Sequence, residues 1–437
     1  MSNSNYVVAV IGAGPAGLFA ARELANQGVR VMIFNRDIKP GGLAEYGIYP
    51  EKHTMKEGLR KQFRQTLELA NVDYFGNVSV GTNGDLTLAD IQALGFNAVL
   101  VSAGAQGTKW LGLPGEDLEG VYHAKDVVYF YNKLPPFSRK IFHFGKHCAI
   151  IGAGNVMVDI ARHLINVQKV EEVTAVVRRG PAEVNFTKEE MKHIISYLNL
   201  DEFEKELERV RPVLAEINQN SVIGKHRILE SLPKADPETE NAKFHFDFLA
   251  SPTAMYGENG KLKKLEVEDN ILVEKDGKVS ARGTGTKRTL DVDTVIFAIG
   301  DKVDEAFGLP TQWNEFIKST EPRFPVEEIS YETTTEGIFV GGWSRKASEG
   351  LVGYARRDGT NAGKAVFQYL QTKQFDEISM EAVAEKVRSI HKSVVTKDDI
   401  KRLEAVEDEE AQKRGVEEYK FSSNEEMLQA MGLIETA

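Results

Sequence analysis

The chain has 437 residues, 42% of them hydrophobic and 27% charged, which suits two or three soluble domains with a sizeable core. Its net charge of −11 argues against a general nucleic-acid binder, and no stretch approaches the roughly 18 consecutive apolar residues of a membrane span. The opening MSNSNY lacks the charged and apolar regions of a signal peptide, so a cytoplasmic protein is expected. Cys148 is the only cysteine. No disulfide, C-x-x-C pair or protein-bound iron–sulfur cluster can form within the chain, and a lone Cys in an apolar strand is more often inert than reactive.

In chain order, the first pattern is VVAVIGAGPAGLFAARELA from Val7. An apolar run feeds a tight turn with Gly12, Gly14 and Gly17 around Pro15 and Ala16, and the turn opens a helix. Backbone N–H groups and the positive end of such a helix hold a pyrophosphate. The next strand, VRVMIF, ends at Asn35 where a carboxylate normally binds the ribose of an adenine dinucleotide; Asn35 offers neutral hydrogen bonds there instead. The strand AVLVSAGA, from Ala98 to Ala105, carries Gly104 at its end, which should abut a cofactor. Residues 1–108 therefore read as a first βαβ domain, and LGLPGEDLEG leads out of it.

A second copy, CAIIGAGNVMVDIARHLI from Cys148, keeps Gly152 and Gly154 but has Met157 in the third position. A single G-x-G-x-x-G is weak evidence; two in the required context are much stronger. The strand after this copy, EVTAVVRR, ends in Arg178 and Arg179. A guanidinium pair there suits the 2′-phosphate of NADPH through charge-assisted bonds.

TKEEMKHIISYL follows as a capped helix, then a charged helical stretch near residues 201–218, then two strand-like segments, KFHFDFLASP and KLKKLEVEDNILVEKDGK, the latter with a DG turn signal. DTVIFAIG at 293–300 looks like the counterpart of AVLVSAGA, and IFVGGW at 338–343 like a further core strand. The expected fold is α/β: two Rossmann-like dinucleotide-binding domains, the second (109–298) inserted into the first (1–108 with 299–371). From Lys401 onward ten acids face five bases. Residues 372–437 accordingly read as an acidic extension of surface helices covering part of the body or a partner subunit, in a homodimer or larger complex.

Over most of residues 6–370 the chain resembles the adrenodoxin-reductase-like, FprA-type ferredoxin–NADP⁺ reductases, with wider kinship to the flavin subunit of glutamate synthase. The matching segments include GAGPAG at Gly12, GGLAEYGIYPEKHTMK from Gly41, GAGNVMVDIAR from Gly152, VVRRGPAEVNFTKEEM from Val176, and GGW at Gly341 followed by Gly350. The resemblance implies an FAD site that includes Gly42, Leu43, Trp343, Gly350, Leu351 and Val352. It implies a pyrophosphate turn for NADPH at Gly152, Asn155 and Val156, and places Arg178 and Arg179 on the 2′-phosphate.

The chain departs from the family pattern in two further places. The loop reads Glu51, Lys52, His53, displacing the family's histidine by one residue, and Ala347, Ser348 and Glu349 replace G-P-T before Gly350. Glu190 matches an acid placed near the nicotinamide, where it could relay a proton or orient the ring. It also stands three residues after Thr187, so a helix capping box is the competing reading. His53 is the second catalytic candidate, against a simply solvated loop histidine.

The implied reaction is hydride transfer between NADPH and FAD, with single electrons passing between FAD and a ferredoxin or similar small acidic carrier. Docking an acidic carrier calls for a basic surface, for which Arg209, Arg211, Lys225, Arg227, Lys234, Arg356 and Arg357 are candidates; local pairing with neighbouring acids is the alternative. Three other functions stay open: a flavin subunit of a glutamate synthase-like complex, although that relative's N-terminal cysteine cluster is missing; an NADPH reductase of a quinone or other small acceptor; and a nucleotide sensor without turnover.

Overall fold

The computed structural model describes residues 6–372 and 374–435. It divides into two compact units: Met1–Thr108, Tyr129–Arg139 and Gly300–Ala437 form one, Lys109–Val128 and Lys140–Ile299 the other. The second is thus bracketed in sequence by parts of the first.

The first unit is built on a five-stranded sheet in the order Ile338–Val340, Ala98–Val101, Val7–Ile11, Arg30–Asn35, Val72–Gly76, and its neighbouring strands pair in parallel. Val7–Ile11 is buried along its whole length, which is why it reads as an unbroken apolar run rather than an alternating one. The helix Pro15–Asn26 begins with Pro at its first position, where the missing N–H costs nothing. It packs against the helix Val352–Leu370 at unusually short range. A Cβ on Gly359 would lie 2.1 Å from the Ala16 carbonyl oxygen, so only glycine permits that approach.

Residues 129–139 were expected with the second nucleotide domain. They cluster with the first unit instead, because Tyr129 and Leu134 share an apolar cluster with Tyr46, Leu43 and Phe137. The acidic tail is likewise part of this unit. Its helices Lys397–Arg414 and Asn424–Ala430 each open with a capping box, Thr396 with Asp399 and Ser423 with Glu426. Val395, Ile400, Leu403, Met427, Leu428 and Met431 join the main core, and Ile378 and Val383 join the core on the other face of the sheet. Val395 also exchanges backbone bonds of 2.7 and 3.0 Å with Gly76, covering the edge strand of the sheet. The high acid content conceals this burial in the sequence.

The second unit repeats the architecture, with a parallel sheet in the order Val121–His123, Thr294–Phe297, His147–Ile151, Glu172–Val177, Lys243–Phe248. Between its last two strands in sequence lies an antiparallel sheet of Ala250–Glu258, Lys261–Lys275 and Lys278–Asp291. The DG signal is the turn joining the last pair, with Asp276 at φ 51° and Gly277 at φ 71°, the left-handed geometry of a tight hairpin. Lys278–Asp291 was not anticipated: it is mostly exposed and so carries no alternation to read. TKEEMKHIISYL forms only the short helix Lys188–Met191 and a 3₁₀ turn at Ile195–Tyr197. Among the described residues, no helix is long and apolar enough to cross a membrane.

Candidate dinucleotide sites

The first glycine turn sits directly beyond the central strand. Gly12 has φ 102°, and a Cβ there would stand 2.5 Å from the Ser102 carbonyl oxygen; a Cβ on Gly17 would meet the Gly12 carbonyl at 2.0 Å. These two glycines are required by packing. Gly14 differs: nothing lies within 4 Å of its Cβ position, and it caps the helix Pro15–Asn26 without any side-chain bond. An open glycine at an uncapped helix N-terminus is the geometry that accepts a phosphate.

Several distant segments converge on this turn. Gly41 donates to the Ala13 carbonyl at 2.7 Å, and Gly42, with φ 49°, approaches Gly14 so closely that its Cβ would lie 3.0 Å from the Gly14 Cα. Leu43 opens the helical turn that follows. A Cβ on Gly342 would meet Ala16 Cβ at 2.6 Å, and Ser344 Oγ donates to the Gly104 carbonyl at 3.3 Å. Pro15, Ala16, Gly42, Gly104 and the Gly341–Ser344 loop therefore surround one place. Trp343 Nε1 donates to the Glu349 carbonyl at 3.0 Å, tying the ring to the Gly350 turn (φ 75°) that leads through Leu351 into the helix starting at Val352. The Glu349 carboxylate pairs with Lys346. Asp358, which sequence reasoning missed, anchors the loop by accepting from Gly342 N–H at 2.6 Å and pairing with buried Arg345 at 2.6 Å. An uncapped helix end framed by backbone fits the diphosphate of an adenine dinucleotide such as FAD.

Asn35 is placed otherwise than the sequence suggests. It is buried, its Oδ1 accepts the Ala13 N–H at 2.9 Å, and its amide donates to the Asp37 and Lys39 carbonyls at 2.8 and 3.1 Å and to Tyr74 Oη at 3.1 Å. Its amide is committed to holding the glycine turn against the following loop, rather than turned outward to a ribose.

In the second unit, Gly152 has φ 139° and its Cβ would meet the Ala298 carbonyl at 2.4 Å, while Gly154 again has nothing within 4 Å and caps the helix Asn155–Asn166 without a side-chain bond. Met157, at the third position, is fully buried, and Val156 is half-exposed beside the turn. Arg178 and Arg179 directly follow the next strand, Glu172–Val177. Neither guanidinium has an ion-pair or hydrogen-bond partner among the described residues. Their backbone is clamped by the antiparallel sheet: Asn270, itself buried, donates to the Arg178 carbonyl at 2.9 Å and to Ser251 Oγ at 2.8 Å, and Leu249 N–H reaches the Arg179 carbonyl at 3.2 Å. Two cations thus stand on a fixed backbone beside a phosphate-type turn.

Glu190 does not complete a capping box. The Thr187 N–H goes to Asn155 Oδ1 at 2.8 Å, and the Thr187 hydroxyl oxygen accepts the Glu190 N–H. Asn155 thereby joins the segment bearing Glu190 to the second glycine turn. His53 begins the helix His53–Leu67 in the first unit, with Nε2 3.1 Å from Glu417 of the tail. Cys148 is buried, and desolvation pushes its thiol up to about 12, which keeps it an unreactive thiol at neutral pH.

The cations proposed for docking are mostly engaged within the fold. Arg209 binds Glu206, Asp247 and the Phe248 carbonyl; Arg211 pairs with Glu208, Lys225 with Glu204, and Arg357 with Glu327. Arg227 donates to the Ala182 carbonyl, Lys234 lies 3.9 Å from Glu189, and Arg356 lies over the Phe19 ring. Arg209 and Arg211 pair with an acid one helical turn away, and the others are engaged by an acid, a carbonyl or a ring on a neighbouring segment of the fold.

A family model described as pyridine nucleotide-disulphide oxidoreductase matches residues 6–203; with one cysteine in the chain, the disulphide of that description has no counterpart here. NADPH-ferredoxin reductase FprA of Mycobacterium leprae is 27% identical over 424 residues, covering 89% of this chain and 90% of that protein. The mitochondrial NADPH:adrenodoxin oxidoreductase of Salvelinus fontinalis is 28% identical over 465 residues, covering 97% and 90%. The solved structure of Mycobacterium tuberculosis FprA in complex with NADPH superposes with a TM-score of 0.82 at 23% identity, covering 98% of this chain and 99% of that one. Fold and paired glycine turns define an oxidoreductase with two dinucleotide-binding folds. Its relatives are the adrenodoxin-reductase-like, FprA-type reductases, as the motifs indicated.

Proposed function

We propose that the protein is an FAD-dependent cytoplasmic reductase that draws on NADPH and serves a ferredoxin-type one-electron carrier. The observation that carries this reading is the difference between two otherwise matching turns. Both present an open second glycine at an uncapped helix end, but only the second is followed by two arginines without a side-chain partner among the described residues.

Gly12, Gly14, Pro15, Ala16 and Gly17 hold the FAD diphosphate, with Gly42, Leu43, Gly104, Trp343, Gly350, Leu351 and Val352 forming the walls. Asn35 acts through the backbone it braces. Gly152, Gly154, Asn155 and Val156 hold the NADPH diphosphate, and Arg178 and Arg179 bind its 2′-phosphate by charge-assisted bonds. Bound FAD supplies the conversion between a hydride and two single electrons. Glu190, on the segment joined to Asn155, orients the nicotinamide or exchanges a proton there, and His53 serves the first site with Glu417 fixing its ring. A chain with one cysteine can form neither an internal disulfide nor a cluster held by several thiolates to receive the electrons, which supports an external acceptor.

Anaerobic mixing of the yellow protein with NADPH or NADH, followed by oxidised ferredoxin, tests the reading. Rapid bleaching by NADPH and recovery on ferredoxin addition are expected. Bleaching without recovery would overturn the ferredoxin assignment, and no bleaching by either nucleotide would overturn the enzyme assignment.

A further inference from the structure

Seven ionisable side chains from two distant stretches close a network inside the first unit. Lys39, Glu45, Lys56 and Arg60 flank or follow the Gly41–Leu43 turn, while Glu407, Glu418 and Lys420 come from the tail. Glu45 is the hub. Arg60 grips its carboxylate with bonds of 2.7 and 2.8 Å, Lys420 lies 2.9 Å away, and Lys39 lies at 3.4 Å. Lys420 also donates to the Glu45 backbone carbonyl at 2.9 Å and stands 5.1 Å over the Tyr46 ring. From the other side Glu407 holds Lys39 at 2.5 Å, and Glu418 binds Arg60 and lies 3.2 Å from Lys56.

Glu45, Lys39, Lys56, Glu407 and Lys420 are all buried, where an ion stripped of its partner is strongly destabilising. The apolar contacts of the tail already attach it to the core, so attachment does not explain buried charge at this spot. Location does. Lys39 and Glu45 stand on either side of Gly41–Leu43, the turn that donates to Ala13 and abuts Gly14, and Asn35 ties the Lys39 carbonyl to the same glycine turn.

We infer that Glu407, Glu418 and Lys420 are positioning residues that press the Gly41–Leu43 turn against the Gly12–Gly17 turn, so that the tail governs how tightly FAD is retained. The inference rests on the assignment of the first unit to FAD. The acidic extension then belongs to the cofactor site, although it comes from the far end of the chain.

The test uses the full-length holoprotein, with release of FAD followed by the rise in free-flavin fluorescence, the shape of the bound flavin's visible band, and the melting temperature of the apoprotein. Lys420→Met is expected to speed release roughly tenfold or more and to alter the visible band, with Lys420→Arg restoring both. Glu407→Gln, which acts from the opposite side of Lys39, is expected to behave in the same way and serves if Lys420→Met does not fold. Unchanged release and spectrum in these variants, with only the apoprotein melting temperature lowered, would overturn the inference. Gly42→Val separates the two levels: if it sheds FAD while the tail variants do not, the tail has no positioning role. If Gly42→Val itself retains FAD at the normal rate, the assignment of this turn to the flavin fails.

Discussion

Asn35 Oδ1 accepts the N–H of Ala13 at 2.9 Å while its amide donates to the Lys39 carbonyl at 3.1 Å, so one side chain joins the phosphate-type turn to the loop that covers it. A carboxylate would keep the acceptor and lose the donor, facing two carbonyls with negative charge. Asn35→Asp should therefore lower stability by about 1–3 kcal/mol and loosen FAD, measured by thermal melting and flavin release. Tighter FAD with an unchanged melting temperature would mean that the side chain meets the ribose after all.

Arg178 and Arg179 present guanidiniums unpaired among the described residues, on a backbone held by Asn270. Replacing both by Ala should weaken NADPH by about 10- to 100-fold and change NADH binding little. Asn270→Ala should give a smaller loss of the same selective kind, since it frees the Arg178 carbonyl without removing charge. Titrations with both nucleotides decide the matter, and equal losses for NADPH and NADH would remove the 2′-phosphate role.

Because the Thr187 N–H is taken by Asn155, the Glu190 carboxylate does not serve as the reciprocal cap of its helix. Glu190→Gln should slow reduction by NADPH by about tenfold or more. A lowered melting temperature with a normal rate of bleaching would assign Glu190 to the fold instead.

Burial opposes ionisation of Glu418, but Lys420, Lys56 and Arg60 outweigh it and hold the carboxyl at about 2. Glu45 is likewise held well below the usual carboxylate range, against burial that opposes its ionisation, by Lys39, Lys420 and Arg60. Groups depressed on folding add stability above their unfolded pKa of about 4.3, and that stability is lost as pH falls through the folded value. Urea midpoints should thus be flat from pH 7 to about 5 as far as these groups are concerned, then drop toward pH 2. The gap between the wild type and Glu418→Gln should narrow over that same interval, and a gap independent of pH would show that Glu418 is not ionised in the fold.

The second strand of the antiparallel sheet shows where the sequence is legible and where it is not. Its apolar alternation and DG turn mark it plainly, whereas its partner Lys278–Asp291 is mostly exposed and polar and is held by strand pairing together with contacts such as the Arg288 ion pairs to Asp247 and Asp269.

The two glycine turns, the parallel order of the strands around them and the contrast between Asn35 and the Arg178–Arg179 pair could be read from the amino-acid sequence alone. Each depends on a strand, a reversal and a helix start within a few neighbouring residues. What Asn35 bonds to, which partner takes the Thr187 N–H, and the membership of the acidic tail in the first core were decided only by tertiary structure. Bonds such as Lys39–Glu407 and Lys420–Glu45 span sequence separations of 368 and 375 residues. Nothing local in the chain distinguishes a carboxylate that will be buried among lysines from one that will face water, because the difference lies in which distant side chains the fold brings to it.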